Sequence, residues 1–253
     1  MTAIIVGVPG AWQPVECFAA VKEAFTARNY EFVGQTPPGV LVENPQDASA
    51  EKDAESLRNN LLLPLVKEGK DLVLMMHSYG GVYGSRAVQG LSKYEREQAG
   101  MKGGVVALIY VSAIPPMVGK TALEMMGANA ENLPDWVEYD ESTGFVKFSG
   151  ARDIMYHDVP EDDVTHYMSL LRNQSLNSIN TPVSYSPLDD PNFDGAAGYV
   201  LCGADRIIPL SAQETYAAIG KMDRKVLVEK ASHAFFAIAP TETVDAVIEL
   251  LQG

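Results

Sequence analysis

Leu72-Val73-Leu74-Met75-Met76 is an apolar run that ends in His77-Ser78-Tyr79 and passes at once into Gly80-Gly81. Beyond the glycines the pattern changes to a single apolar face, with Val82, Tyr83, Ala87 and Val88 set around Ser85 and Arg86. Few folds accommodate this. A strand buried on both faces reads as an unbroken apolar run, and a helix packed closely behind it starts with residues that lack side chains. The stretch predicts a strand that turns sharply into a helix, with the Ser78 hydroxyl at the turn. That geometry is the nucleophile elbow, written G-x-S-x-G. Ser78 and Gly80 fit it, while Met76 stands where the first glycine belongs. An isolated S-x-G also marks ordinary turns, so the reading depends on what precedes and follows it.

Runs of the same kind recur at Ala3–Val8, Tyr30–Val33, Val105–Val111, Tyr199–Cys202 and Val226–Val228. Helical spacing separates them: Phe18, Val21 and Phe25; Leu57, Leu61 and Leu65, where Pro64 should kink or shorten the helix; Ala212 to Ile219; and Val244, Val247, Ile248 and Leu251. This alternation predicts an α/β fold with a doubly wound, mostly parallel sheet of about six strands. It stops between residues 115 and 180, where no good strand run is visible. Met117, Met125, Met126, Met155 and Met168 cluster there with Trp136, Tyr156 and Tyr167, and Pro160 opens an acidic helix start at Glu161–Asp163. The expectation is a helical cap at 115–180, inserted between core segments 1–114 and 181–253.

The balance of 19 basic against 33 acidic residues leaves a net charge of -14. Such a surface repels phosphate backbones and anionic lipid, so neither nucleic acid nor a membrane is expected as a partner. Cys17 and Cys202 form no disulfide framework and no metal-ligand spacing, and read as buried free thiols. Thr2–Val8 is too short for a leader's apolar region, and no run approaches the roughly 20 residues of a membrane span. A soluble, cytoplasmic protein is expected.

In an open parallel sheet, reactive groups gather beyond the carboxyl ends of the strands. Ser78, Asp205 and His233 lie at three such ends, in that chain order. A serine hydroxyl needs a neighbouring base; His233 can supply it near neutral pH, and Asp205 can fix the imidazole tautomer. An oxyanion hole needs backbone N–H donors. Tyr79, after the nucleophile, offers one, and Ala11 the other, since Pro9 has no N–H. No metal and no cofactor is called for; the partner is a small-molecule substrate. Asp205 has a competing reading as a turn or helix-capping residue, His233 as a packed core histidine, and Ser78 as a plain turn serine. His77 should point away from the nucleophile and serve structure. Trp12, Trp136, Met155, Tyr156 and His157 are the candidate pocket residues.

The stretches Pro9-Gly10-Ala11-Trp12, His77-Ser78-Tyr79-Gly80-Gly81, Gly203-Ala204-Asp205-Arg206-Ile207-Ile208-Pro209 and Ser232-His233 together resemble the α/β-hydrolase superfamily. Within it, the chain resembles the plant methylesterase and hydroxynitrile-lyase group, and fungal hydrolases of unassigned substrate; Met155-Tyr156-His157-Asp158-Val159-Pro160 is similar to the fungal set. Met76 for the elbow glycine, and Pro9 for the histidine usual before Gly10, are departures. The resemblance implies a Ser-His-Asp hydrolase of a small, largely apolar ester or lactone. Two other classes stay open: C–C bond lysis, although Ala234 stands where the lyases carry a lysine, and a ligand-sensing protein using the same pocket.

Overall fold

The computed structural model describes residues 3–252, so Thr2 of the short N-terminal run and the first two and last positions of the core segments lie outside it. In chain order the strands are β1 (Ile4–Val8), β2 (Phe32–Gly34), β3 (Asp71–Ser78), β4 (Gly104–Ala113), β5 (Val137–Asp140), β6 (Phe145–Phe148), β7 (Gln174–Ser175), β8 (Ala197–Cys202) and β9 (Lys225–Val228). Six of them form one sheet in the order β2-β1-β3-β4-β8-β9, and every pairing in it is parallel.

Alternate residues of these strands feed two separate cores. Val6, Val8, Leu72, Leu74, Met76, Leu108 and Tyr110 face a layer that includes Ala54, Leu57, Val66, Val82 and Tyr83, from the chain segments 50–67 and 80–87. Ile5, Val73, Met75, Ile109 and Val111 face the other layer, where Val21, Phe25, Val244 and Val247 come from helices Ala19–Thr26 and Pro240–Gln252. Burial on both faces is why these strands read as continuous apolar runs. From β1 the chain steps to the β2 edge, then returns to β3 and proceeds towards β9. The reversal falls between β1 and β3, whose carboxyl ends open the crevice where sites of such sheets lie.

Pro64 acts as expected. The helix Ala50–Leu57 passes through a π-helical turn at Arg58–Leu62 before Leu63–Lys67. Proline cannot supply the amide that an α-helical ladder needs there.

The inserted segment departs from an all-helical expectation. It does contain helices, at Ala122–Met125, Ala151–Ile154, Glu161–Leu170 and Leu176–Ile179. It also holds an antiparallel sheet in the order β5-β6-β7. These strands have four, four and two residues, too short for periodicity to stand out. The turn between β5 and β6 carries a legible signal: Asp140 Oδ1 accepts from the Ser142 amide, and Gly144 takes a left-handed φ of +80°.

Met76 explains itself in this packing. It is fully buried; a Cβ on Gly84 would sit 3.0 Å from its sulfur, and Ser85 Oγ donates to that sulfur at 3.7 Å. The glycine of the elbow pattern has in effect moved from the strand to the helix that faces it. Restoring the pattern with Met76→Gly should therefore lower unfolding free energy by about 3–5 kcal/mol, from the cavity left behind and the looser strand. Urea denaturation checks this, and a stability equal to the parent's would show that Met76 does not fill the space.

Candidate active site

Ser78 ends β3 with φ +52°, a left-handed conformation that a residue with a side chain adopts only at a cost of roughly 1–3 kcal/mol. What holds it is backbone contact. The helix Gly80–Ala87 starts so close to the sheet that a Cβ on Gly80 would lie 2.4 Å from Val8 O, and one on Gly81 2.4 Å from Ile114 O. Of the five positive-φ residues other than glycine among the described residues, Trp12 (+62°), Ser78 and Ser112 (+40°) all belong to this region. Ser112 sits where the β3–β4 register shifts, so that His77 pairs with Val111 and Ser78 with Ala113. A bulge of this kind re-aims a side chain, and Ser112 Oγ donates to Asp205 Oδ2 at 2.5 Å.

Asp205 follows β8 and is 7% exposed. Its Oδ2 also accepts from His233 Nδ1 at 2.7 Å, while Oδ1 accepts the amides of Ile207 at 2.7 Å and Ile208 at 2.9 Å. The capping and the orienting readings of this residue thus coexist on different oxygens. Burial pushes its carboxyl up, but the His233 charge, the hydrogen bonds from His233 and Ser112 and the Ile208 amide outweigh it and hold the group below the usual carboxylate value. An ionised carboxylate only accepts, so the His233 nitrogen that faces it, Nδ1, carries a proton.

His77 lies beneath His233, with ring centroids 4.5 Å apart, and packs against Phe235 at 5.1 Å. Its Nδ1 donates to Gln13 Oε1 at 3.0 Å. Burial, then the neighbouring His233, depress its pKa well below the ordinary value. It is neutral, and does not repel an imidazolium at His233.

The loop after β1 is pinned on both sides of Ala11. The Gly10 amide donates to Gln13 Oε1 at 3.3 Å and the Trp12 amide to Gln174 Oε1 at 3.1 Å. Tyr83 OH donates to Pro9 O at 3.0 Å, the Arg172 amide to Trp12 O at 2.9 Å, and Trp12 Nε1 to Val146 O at 3.0 Å. Among the described residues, the amides of Ala11 and Tyr79 have no hydrogen-bond partner.

Ser78, His233, Ala11 and Tyr79 line one narrow cavity. Its walls are otherwise apolar, built from residues that include Trp12, Ile114, Leu123, Met126, Trp136, Val137, Met155, Ile179 and Ile207. Of the candidate pocket residues, Trp12, Trp136 and Met155 are among those that line it. Tyr156 and His157 are not, because consecutive residues leaving a helical turn point in different directions. Tyr156 turns into the opposite core beside Tyr167 and Phe236, and His157 Nδ1 folds back to Ile154 O at 3.1 Å. Sequence reasoning missed Ser112, Gln13 and Gln174; a polar residue closing the apolar β4 run was the available signal for Ser112. Among the described residues, no group of three or more His, Cys, Asp or Glu side chains is placed to hold a metal ion, and no helix is long and apolar enough to cross a membrane.

The chain is 29% identical over 215 residues to the alpha/beta hydrolase nvfD of Aspergillus novofumigatus, covering 83% of this chain and 81% of that one. Its fold is similar to that of a methylesterase from Arabidopsis, with 17% identity, a TM-score of 0.74 and 99% of both chains covered. It is similar too to that of polyneuridine aldehyde esterase, at 14% identity and a TM-score of 0.78, over 99% of this chain and 100% of the other. The alpha/beta hydrolase family model matches residues 5–246. With nearly all of its length matched by that model, on a sheet whose reversal point holds the site, the chain belongs to the alpha/beta hydrolase family.

Proposed function

We propose that this protein is a serine esterase that cleaves a small, largely apolar carboxylic ester or lactone through an acyl-enzyme. The observation that carries this reading is the apolar cavity lined by Ser78, His233, Ala11 and Tyr79, the last two with amides that have no hydrogen-bond partner among the described residues. Ser78 Oγ attacks the carbonyl carbon while His233 Nε2 takes the hydroxyl proton. The negative charge moves to the carbonyl oxygen, which the Ala11 and Tyr79 amides receive as an oxyanion hole. The intermediate collapses, the alkoxide leaves with the proton from His233, and Ser78 stays acylated. Water then attacks the acyl carbon with His233 again as base, and the second intermediate collapses to the free acid and Ser78, whose Oγ takes the proton back from His233. Asp205 stays ionised throughout and stabilises the imidazolium.

The esterases among the structural neighbours support the reaction class. The walls support the substrate class. Among the described residues, no Asp, Glu, Lys or Arg lines the cavity, so a charged substrate would lose hydration without compensation. The inserted segment acts as a cap and contributes Leu123, Met126, Trp136 and Met155 to those walls. Affinity then grows with apolar area buried, at about 25 cal/mol per Å².

Three outcomes are expected. Ser78→Ala lowers kcat by roughly 10⁴-fold or more and abolishes labelling by a fluorophosphonate; near-normal turnover of p-nitrophenyl esters by this variant would overturn the proposal. Asp205→Asn lowers kcat by roughly 10⁴-fold, because the amide's N–H₂ faces His233 and enforces the wrong tautomer. An unchanged rate would leave Asp205 with its turn role alone. Across p-nitrophenyl esters of rising acyl length, activity climbs until the cavity is full, and Met155→Ala or Trp136→Ala moves that optimum to longer chains while Ser78 still labels. An unmoved profile, or a charged ester as best substrate, would refute the account of specificity.

A further inference from the structure

Asp53 is an acid on the wrong face of its helix. In Ala50–Leu57 it shares the buried side with Ala50, Ala54 and Leu57, and is 0% exposed. Its Oδ2 accepts from Tyr79 OH at 2.7 Å, and its Oδ1 accepts the Gly39 amide at 2.7 Å. Gly39 O accepts from Gln174 Nε2 at 3.3 Å, and Gln174 Oε1 accepts the Trp12 amide at 3.1 Å. From one carboxylate, a short path leads to Tyr79 and a longer one to the peptide beside Ala11.

We propose that Asp53 is a positioning residue for the oxyanion hole, setting the Tyr79 peptide through the Tyr79 hydroxyl and the Ala11–Trp12 peptide through Gly39 and Gln174. This rests on the serine-esterase reading above, in which the Ala11 and Tyr79 amides receive the oxyanion. A third tie runs the same way: the Tyr79 and Tyr83 rings are 5.1 Å apart, and Tyr83 OH donates to Pro9 O. The path has no slack at its centre, since a Cβ on Gly39 would lie 2.3 Å from Ser178 Oγ, 2.7 Å from Gln174 Nε2 and 2.8 Å from Asp53 Oδ2.

A structural role alone explains Asp53 poorly. The groups that face it are Tyr79 just before the helix Gly80–Ala87, Tyr83 within it, Gly39 from the 3-10 turn Pro38–Val40 and Ser178 from the inserted segment. None of them is a cation. Burial raises its carboxyl to about 6 in spite of the hydrogen bonds from Tyr79 and Gly39. A buried charge without an opposite charge is costly to stability, so its presence needs another reason. An ionised carboxylate accepts only. It therefore compels Tyr79 OH and the Gly39 amide to point at one place, although Ser178 O, 3.0 Å from the same hydroxyl, offers an alternative acceptor.

The test compares Asp53→Leu, Asp53→Asn, Tyr79→Phe, Gly39→Ala and the double variant Asp53→Leu/Tyr79→Phe, using a p-nitrophenyl ester and active sites titrated with a fluorophosphonate. Ser78→Ala serves as the reference for the reaction itself. Per titrated site, Asp53→Leu and Tyr79→Phe should each lose at least about tenfold in kcat with KM within about twofold, since a misaimed oxyanion donor affects the transition state alone. The double variant should lose no more than Asp53→Leu, because both act along one path. Asp53→Asn, which keeps an acceptor for Gly39, should recover most of the loss. Should Asp53→Leu not fold, Tyr79→Phe and Gly39→Ala carry the comparison, with the same kcat-only loss expected. Parent kcat in these variants, a rise in KM alone, or losses that multiply in the double variant would overturn the positioning role. Turnover surviving in Ser78→Ala would instead overturn the serine-esterase reading.

Discussion

Backbone rests directly on backbone where β3 turns into its helix, and the rest of the site depends on that contact. Gly80 lies against Val8 O and Gly81 against Ile114 O, so the ends of β1, β3 and β4 are held at fixed separations by three pieces of main chain. Nothing wider than glycine fits. The left-handed Ser78 survives because its surroundings over-determine it. From the same junction the β4 bulge sends Ser112 to Asp205, and the carboxylate that accepts from Ser112 also accepts from His233 Nδ1. A hydroxyl at the end of one strand, a carboxylate after another and an imidazole after a third reach one place because the strands are parallel and end together.

Two buried acids of opposite character flank this junction. Asp205 has four donors, and the charge of His233 helps them outweigh burial, so its carboxyl sits below its unfolded value. Its contribution to stability is full above the unfolded pKa and is lost as pH falls through the folded one. Asp53 has fewer donors and no cation, and burial wins, raising it to about 6. Between the unfolded value and 6 the native state holds a proton that the unfolded chain has released. Stability from this group is therefore lost as pH rises through 6, by about 3 kcal/mol in all, at roughly 1.4 kcal/mol per pH unit between the unfolded and folded values. One carboxylate supports the fold at neutral pH and the other opposes it. That asymmetry separates a residue explained by its pairing from one that is not.

Much of the sheet is legible in the sequence alone, because β1, β3, β4 and β8 are buried on both faces and leave unbroken apolar runs. Ser78, Asp205 and His233 are legible for a related reason: each is a polar residue at or just after such a run. The strands of the inserted segment are hidden by their length, since Val137–Asp140 and Phe145–Phe148 span two alternations apiece. Tyr156 and His157 mislead because adjacency in sequence is no guide to direction once a helix ends. Asp53 leaves a trace, an acid at apolar-face spacing with Ala50 and Leu57. What it binds cannot be read, because Tyr79 and Gln174 reach it and its neighbour from 26 and 135 residues away. Gln174 and Trp12 are 162 positions apart, and no local pattern announces such a pair.

Trp12 joins the two halves of the molecule and constrains how its selectivity can change. Its peptide amide and carbonyl are bound by Gln174 and Arg172, its indole by Val146, and its ring packs edge-on to Trp136 at 6.0 Å and tilted to Phe148 at 5.1 Å. The same side chain lines the cavity, and the same peptide neighbours Ala11. Enlarging the cavity at Trp12 therefore also frees the loop whose amide is proposed to meet the oxyanion. Leu123 and Met126 stand differently: they line the cavity from the inserted segment, and neither takes part in the hydrogen bonds that pin the loop. An apolar wall discriminates by only about 1–3 kcal/mol per methylene, so substrate preference can drift at Leu123 and Met126 in small steps without loosening the chemistry. At Trp12 the two are bound together, because one residue holds both the wall and the loop.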